Sequence, residues 1–154
     1  MRFLCDEMLA RLARLLRAAG YDTYLARGGQ ADDDLLRIAR AEDRILLTRD
    51  RRLAERAWPA SLLVGGRGAT AEAQDLAAAL PIDWTHAPFT RCVMDNTLLD
   101  DAGLQDVARM PPQARVLPGP FRVCPACGRL YWPGSHVRRM SNRLQALAQI
   151  LPQP

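Results

Sequence analysis

Three groups of acids stand where a folded chain can bring them together. Asp6 directly follows the apolar run Arg2–Cys5, and Asp50 comes two residues after Ile45-Leu46-Leu47-Thr48. The triplet Asp32-Asp33-Asp34 stands ahead of Leu35-Leu36-Arg37-Ile38-Ala39. Carboxylates gathered in one place repel one another unless a divalent cation bridges them, and Mg²⁺ or Mn²⁺, hard ions that prefer oxygen, suit that role. Such an ion lowers the pKa of a water molecule and offsets charge on a phosphodiester, which is the chemistry of metal-assisted phosphoryl hydrolysis. Each acid also has a plain structural use. Asp32 or Asp33 and Asp50 are good helix N-caps, whereas Asp6-Glu7 immediately after a buried strand is harder to account for in that way.

The second chemical feature is Val123-Cys124-Pro125-Ala126-Cys127-Gly128. A two-residue gap lets both thiolates converge on one zinc ion, and the following glycine permits the tight turn. One such knuckle is half a site. A redox dithiol or a disulfide is the rival reading, but a redox pair should follow a strand and open a helix, and this one lies among Pro and Gly. A degenerate turn without metal is the other alternative. Just downstream, Arg129-Leu130-Tyr131-Trp132-Pro133-Gly134-Ser135-His136-Val137-Arg138-Arg139 interleaves rings with guanidinium groups. Rings stack on unpaired bases and Arg holds phosphates, so Tyr131, Trp132, His136, Arg138 and Arg139 are candidate RNA contacts. The plainer role for Tyr131 and Trp132 is packing.

These residues need a scaffold. Arg2–Cys5 reads as a buried strand, the leucines of Met8–Leu16 as a helix ending at Gly20, and Tyr21–Ala26 as a second strand. One of Asp32 to Asp34 is expected to cap the helix that follows. Arg44–Thr48 is a third strand, Asp50–Ala57 a short helix, Ser61–Val64 a fourth strand, and Thr70–Leu80 an Ala-rich helix stopped by Pro81. Alternating strands and helices predict an α/β fold with a mostly parallel sheet in three layers, and ligands of such sheets bind outside the carboxyl ends of the strands. After Pro81, prolines at 88, 111, 112, 118, 120, 125 and 133 break the periodicity. A boundary is expected near residues 82–90, with residues 1–86 as the first domain, 87–140 as the second, and 141–154 as a C-terminal helix or tail.

Charge is distributed unevenly. The net charge is +4, yet residues 1–86 hold 13 Arg and 13 acids, while residues 87–154 hold 8 Arg and 4 acids, with none after Asp106. A basic tail points to a polyanionic partner. All basic residues are Arg, which suits bidentate phosphate contacts but is equally a product of GC-rich coding. No apolar run is long enough to span a bilayer, and acids stand where a signal peptide would be apolar, so a cytoplasmic location is expected.

Taken together, Phe3-Leu4-Cys5-Asp6-Glu7-Met8-Leu9, the Leu-Ala-Arg-Leu-Leu-Arg helix leading to Gly20-Tyr21-Asp22-Thr23, the run Asp32–Ala39 and Arg44-Ile45-Leu46-Leu47-Thr48-Arg49-Asp50 resemble PIN-like nucleases. More narrowly, the chain from residue 2 to about 140 resembles the family named for the C-terminal RNase domain of the Mut-seven exoribonucleases. The resemblance implies a PIN-like three-layer sandwich followed by a zinc ribbon. It also implies carboxylate roles for Asp6, for Asp32 or its neighbour Asp33, and for Asp50. PIN nucleases commonly add a fourth acid, and no clear equivalent stands here; Glu7 is one substitute. The family carries a second C-x-x-C where this chain has Cys92-Val93-Met94-Asp95. Asp95 replaces its second cysteine, so Cys92, Asp95, Cys124 and Cys127 form the implied zinc ligand set, weaker than four thiolates.

The expectation is therefore a hydrolase of RNA, with Mg or Mn at the carboxylates, zinc at the cysteines, and Arg49, Arg51 and Arg52 positioning the phosphate backbone unless they simply form a solvated helix face. The alternative is a non-catalytic RNA-binding or ribosome-associated module whose acids act only as caps. A phospho-acceptor receiver domain also places acids at strand ends, but it needs a Lys that this chain lacks.

Overall fold

The computed structural model describes residues 1–150. Four short strands, β1 (Arg2–Cys5), β2 (Asp22–Leu25), β3 (Ile45–Thr48) and β4 (Ser61–Leu63), form one parallel sheet in the order β2-β1-β3-β4. Helices α1 (Ala10–Ala18), α2 (Asp32–Ala41), α3 (Arg51–Ala57) and α4 (Ala69–Ala79) connect and follow them. A 3-10 turn, Glu7–Leu9, joins β1 to α1.

Both faces of the sheet are covered, because successive strand residues point in opposite directions. Phe3 and Cys5 of β1 and Leu47 of β3 pack with Leu12, Leu15 and Leu16 of α1 and Leu76 of α4. The alternate residues Leu4 and Leu46 pack with Leu35, Leu36 and Ala39 of α2 and Leu53 of α3. The α/β expectation holds, with helices α1 and α4 on one face and α2 and α3 on the other.

The chain leaves β1 first to one side, through α1 to β2, and later to the other side, through β3. The order therefore reverses between β1 and β3, and their carboxyl ends border the crevice where open α/β sheets bind ligands.

The remainder is irregular, but it is not detached. Trp84 is buried, Tyr21 Oη accepts from the Asp83 amide, and the amides of Ala87 and Phe89 donate to Ala19 and Ala18 at the end of α1. Gly20 makes this approach feasible: with φ +100, a Cβ there would lie 2.4 Å from the Ala87 carbonyl oxygen. A small antiparallel sheet follows, β5 (Asp100–Asp101), β6 (Arg122–Val123) and β7 (Leu130–Tyr131), interrupted by α5 (Leu104–Ala108) and α6 (Pro112–Arg115). The last helix, α7 (Ser135–Ile150), returns Leu144 and Leu147 to the core beside α1 and α4.

Two local expectations need correction. None of Asp32, Asp33 and Asp34 caps α2: Ala31 is the N-cap residue, without a side-chain bond, and all three acids lie in the first turn. They still favour that helix end, through the peptide dipoles. The C-terminal segment expected at 141–154 as a helix or tail is helical up to Ile150, but that helix begins earlier, at Ser135; residues 151–154 lie outside the described residues.

Candidate metal centre and acidic crevice

Cys92, Asp95, Cys124 and Cys127, far apart in sequence, converge so that one ligand atom from each lies within 4.8 Å of all the others. Two equivalent turns bring this about. In the first, the Asn96 amide donates to the Cys92 carbonyl at 2.9 Å and the Cys92 amide to Thr97 at 2.8 Å. In the second, the Gly128 amide donates to Cys124 at 2.8 Å and the Cys124 amide to Arg129 at 2.9 Å. Each turn needs a left-handed residue after its second ligand. Asn96 has φ 74 and Gly128 φ 69, and Asn and Gly are the residues that tolerate this conformation best. Asp95 therefore occupies in the first turn the place that Cys127 holds in the second.

The spacing fits a tetrahedral ion. With Zn–S of about 2.3 Å and Zn–O of about 2.0 Å, tetrahedral edges come to roughly 3.8 Å between sulfurs and roughly 3.5 Å between sulfur and oxygen. Cys92 Sγ and Cys127 Sγ are 3.7 Å apart, and Cys124 Sγ lies 3.5 and 3.4 Å from the Asp95 oxygens. Partial desolvation opposes ionisation of Asp95, but the Cys127 thiol and Thr97 hold its carboxyl well below the usual range. The carboxylate beside it pushes the Cys127 thiol up to about 12, a proton that a bound cation would displace.

Residues outside the ligand set fix its geometry. The Tyr131 hydroxyl donates to Cys92 Sγ at 3.2 Å and accepts from the Val93 amide at 3.0 Å. Burial, and then the bond to Cys92, raise the Tyr131 pKa, so the hydroxyl keeps its proton to donate. Arg17 of α1, only 4% exposed, donates from Nη1 to the carbonyls of Met94 at 2.6 Å and Val93 at 3.3 Å, and from Nε to Thr23 at 2.9 Å. The Asn96 side chain accepts from the Thr23 amide at 2.9 Å and donates to Asp22 at 2.7 Å. The first ligand turn is thus bolted to β2.

Asp6 and Asp50 are linked at the carboxyl ends of β1 and β3, while Asp32 and Asp33 stay in the first turn of α2 and, among the described residues, form no converging ligand group with them. Asp6, 7% exposed, accepts from the Met8 amide at 2.9 Å with Oδ1, and from the Thr48 hydroxyl and the Arg49 amide with Oδ2. The Thr48 hydroxyl in turn accepts from the Asp50 amide at 3.0 Å. Asp50 caps α3, accepting from Arg52 at 2.7 Å and Leu53 at 3.1 Å. Arg56 reaches from α3 to both Asp32, at 3.5 Å, and Asp33, while Asp34 pairs with Arg37 within α2. Glu7 accepts from the Gly29 amide. Every candidate acid thus has a partner within the chain. Among the described residues, the Cys/Asp cluster is the group whose ligand atoms converge for a metal ion.

The proposed RNA contacts fall in two places. Arg49 is half-buried beside Asp6, and Arg51 and Arg52 are exposed in the first turn of α3. Trp132, His136, Arg138 and Arg139 lie on or near the start of α7, while Tyr131 is buried against the cysteines. Several residues that matter to these sites escaped the sequence reading. Arg17 carried one signal, a charge on the apolar stripe of α1. Glu72, in the first turn of α4, is 4% exposed with Oε2 lacking a hydrogen-bond partner among the described residues. Burial pushes up the Cys5 thiol, with the charges of Asp6 and Glu72 adding to it, so this cysteine is an inert part of the core.

A family profile described as Mut7-C RNAse domain matches residues 1–144. No curated protein and no solved structure matches the chain. A match across nearly the whole chain settles the family: the protein belongs to the Mut7-C RNAse domain family, and its function is of the ribonuclease type.

Proposed function

We propose that the protein is a metal-dependent ribonuclease that hydrolyses RNA phosphodiester bonds in the crevice between β1 and β3, on a PIN-like sandwich carrying a zinc ribbon. The observation that carries this reading is the Thr48 hydroxyl, which links Asp6 at the end of β1 to Asp50 after β3 at the switch point of the sheet. Asp6, Asp50 and Asp32 or Asp33 are the residues that would supply oxygen ligands to Mg²⁺ or Mn²⁺. A bound ion of this kind supplies a Lewis acid and lowers the pKa of a water molecule.

The chain's own residues do the rest. The amides of Met8 and Arg49 and the Thr48 hydroxyl fix the rotamer of Asp6. Arg51 and Arg52 stand at a helix N-terminus, where cations oppose the peptide dipoles. That local cost is offset if they hold phosphates along the crevice. Arg56 pairs with Asp32 and Asp33 through one oxygen each and so holds both carboxylates in place, leaving their other oxygens as the ones that would face an ion. Cys92, Asp95, Cys124 and Cys127 would hold zinc as a structural centre, since four protein ligands leave no open position.

The pairing of every acid with a protein partner favours a second reading, a non-catalytic RNA-binding module in which zinc and the Arg residues do the binding. Asp6→Asn and Asp50→Asn separate the two. The nuclease reading expects both variants to bind RNA as the parent does while cleavage falls by at least about a hundredfold; equal RNA binding with no cleavage by the parent establishes the binding module.

A further inference from the structure

Beside the metal cluster, a cavity of about 400 Å³ opens between the start of α7 and the first ligand turn. Phe89, Trp132, Val137 and Met140 line it, with Arg129 and His136 at its polar edge. The volume lies within the range of about 300–1,000 Å³ typical of small-ligand sites.

Two of its walls are held at some cost. Phe89 has φ 55, a left-handed conformation that is an outlier for a bulky side chain, and it is fixed there by its amide donating to the Ala18 carbonyl at 2.9 Å and by Arg122 donating to its own carbonyl at 3.0 Å. The Trp132 indole folds over Gly134 so closely that a Cβ there would lie 2.5 Å from Nε1. Any larger residue at position 134 would push the ring out of its place.

The surroundings are cationic. Arg129, Arg138, Arg139 and Arg143 are exposed, none forms an ion pair among the described residues, and the chain has no acid after Asp106. Arg139 Nη2 lies 3.1 Å from His136 Nδ1, which brings a guanidinium to the cavity mouth. An apolar peptide would leave these charges unmatched. An unpaired nucleotide matches both features, with a base against the rings and a phosphate on the guanidinium groups.

We infer that this cavity is a base subsite that takes one unpaired nucleotide of the RNA, stacked on Trp132 with its phosphate on Arg129 and Arg139. Tyr131, adjacent in sequence, has no part in it except as support, because its hydroxyl is committed to Cys92. The assignment rests on RNA being the ligand of the protein, but it does not depend on the acids that would cleave it.

The test is titration of the zinc-loaded full chain with 5′-AMP and with ribose 5-phosphate, equal in charge, while the indole N–H signals of Trp58, Trp84 and Trp132 are followed by NMR. AMP should shift the Trp132 signal saturably and leave Trp58 unchanged, and ribose 5-phosphate should not. Trp132→Leu should weaken AMP about tenfold, with Trp132→Phe restoring most of the affinity; Asp6→Asn should leave AMP binding unchanged. No shift at millimolar AMP, or an equal response to ribose 5-phosphate, overturns the base subsite even if the protein cleaves RNA. AMP binding at Trp132 in a protein that fails to cleave RNA supports the subsite and defeats the nuclease reading alone.

Discussion

Thr48 donates its hydroxyl hydrogen to Asp6 and in the same position receives the amide of Asp50, so a single side chain ties together the ends of two adjacent strands. Thr48→Val keeps the β-branched shape that suits β3 but deletes both bonds, leaving Asp6 Oδ2 with the Arg49 amide alone and the Asp50 amide without its acceptor. A loss of about 1–3 kcal/mol in stability is expected, read by urea denaturation. RNA cleavage should fall further than stability explains, whereas Thr48→Ser should retain both properties. Full activity in Thr48→Val would remove the hydroxyl from the account.

Arg17 connects the sheet to the metal centre, and it is buried with three carbonyl acceptors. Arg17→Met fills similar space but abandons those carbonyls and the positive charge near Cys92 and Asp95, so a loss of about 3 kcal/mol is expected. The sharper readout is the rise in Tm on adding zinc. It should be smaller in the variant than in the parent, because the first ligand turn is no longer held in place; an unchanged rise would mean the turn is rigid without Arg17.

Asp95 occupies the position that Cys127 holds in the twin turn, so Asp95→Cys completes a four-thiolate site on an existing backbone. Competition with a chelator should show zinc affinity raised by tenfold or more. Asp95→Ala should lower it by a similar factor. If neither substitution alters affinity, Asp95 is not a ligand.

Asp22 joins Arg44, Arg2 and Asn96 at the edge of β2. Burial works to raise its pKa, but the hydrogen bonds from Arg44 and Asn96 outweigh it and bring the value to about 2, against an ordinary 3.8. A depressed carboxylate stabilises the fold above its unfolded pKa, and that contribution is lost as pH falls through the folded value. A difference of this size amounts to about 2 kcal/mol, present at pH 5 and disappearing between about pH 4 and pH 2. Denaturation at a series of pH values should show this loss in the parent and a flatter curve in Asp22→Asn.

The parallel sheet was legible because its signals are local: Phe3-Leu4-Cys5 and Ile45-Leu46-Leu47 are short buried runs, and the leucines of α1 and α2 follow helical spacing. The knuckle at Cys124 was equally plain. What sequence could not convey was long-range pairing. Arg17 meets Met94 across 77 positions and Asn96 meets Asp22 across 74, and nothing in the composition of either segment announces the partner. The N-cap of α2 was misjudged for a related reason. Three consecutive acids all satisfy the rule for a cap, yet the chain enters the helix one residue earlier, at Ala31, where no side chain is needed. The residues expected to share an aromatic RNA surface also divided: β7 turns Tyr131 inward to the cysteines while Trp132 faces the cavity.

The central claim is metal-dependent cleavage in the crevice between β1 and β3, and the most direct measurement is the fate of labelled single-stranded RNA with Mn²⁺, with Mg²⁺ and with EDTA, in the parent protein and in Asp6→Asn. Cleavage by the parent with either ion, abolished by EDTA and by the substitution, is the result expected. RNA left intact under every condition, or cut equally well by Asp6→Asn, would contradict it.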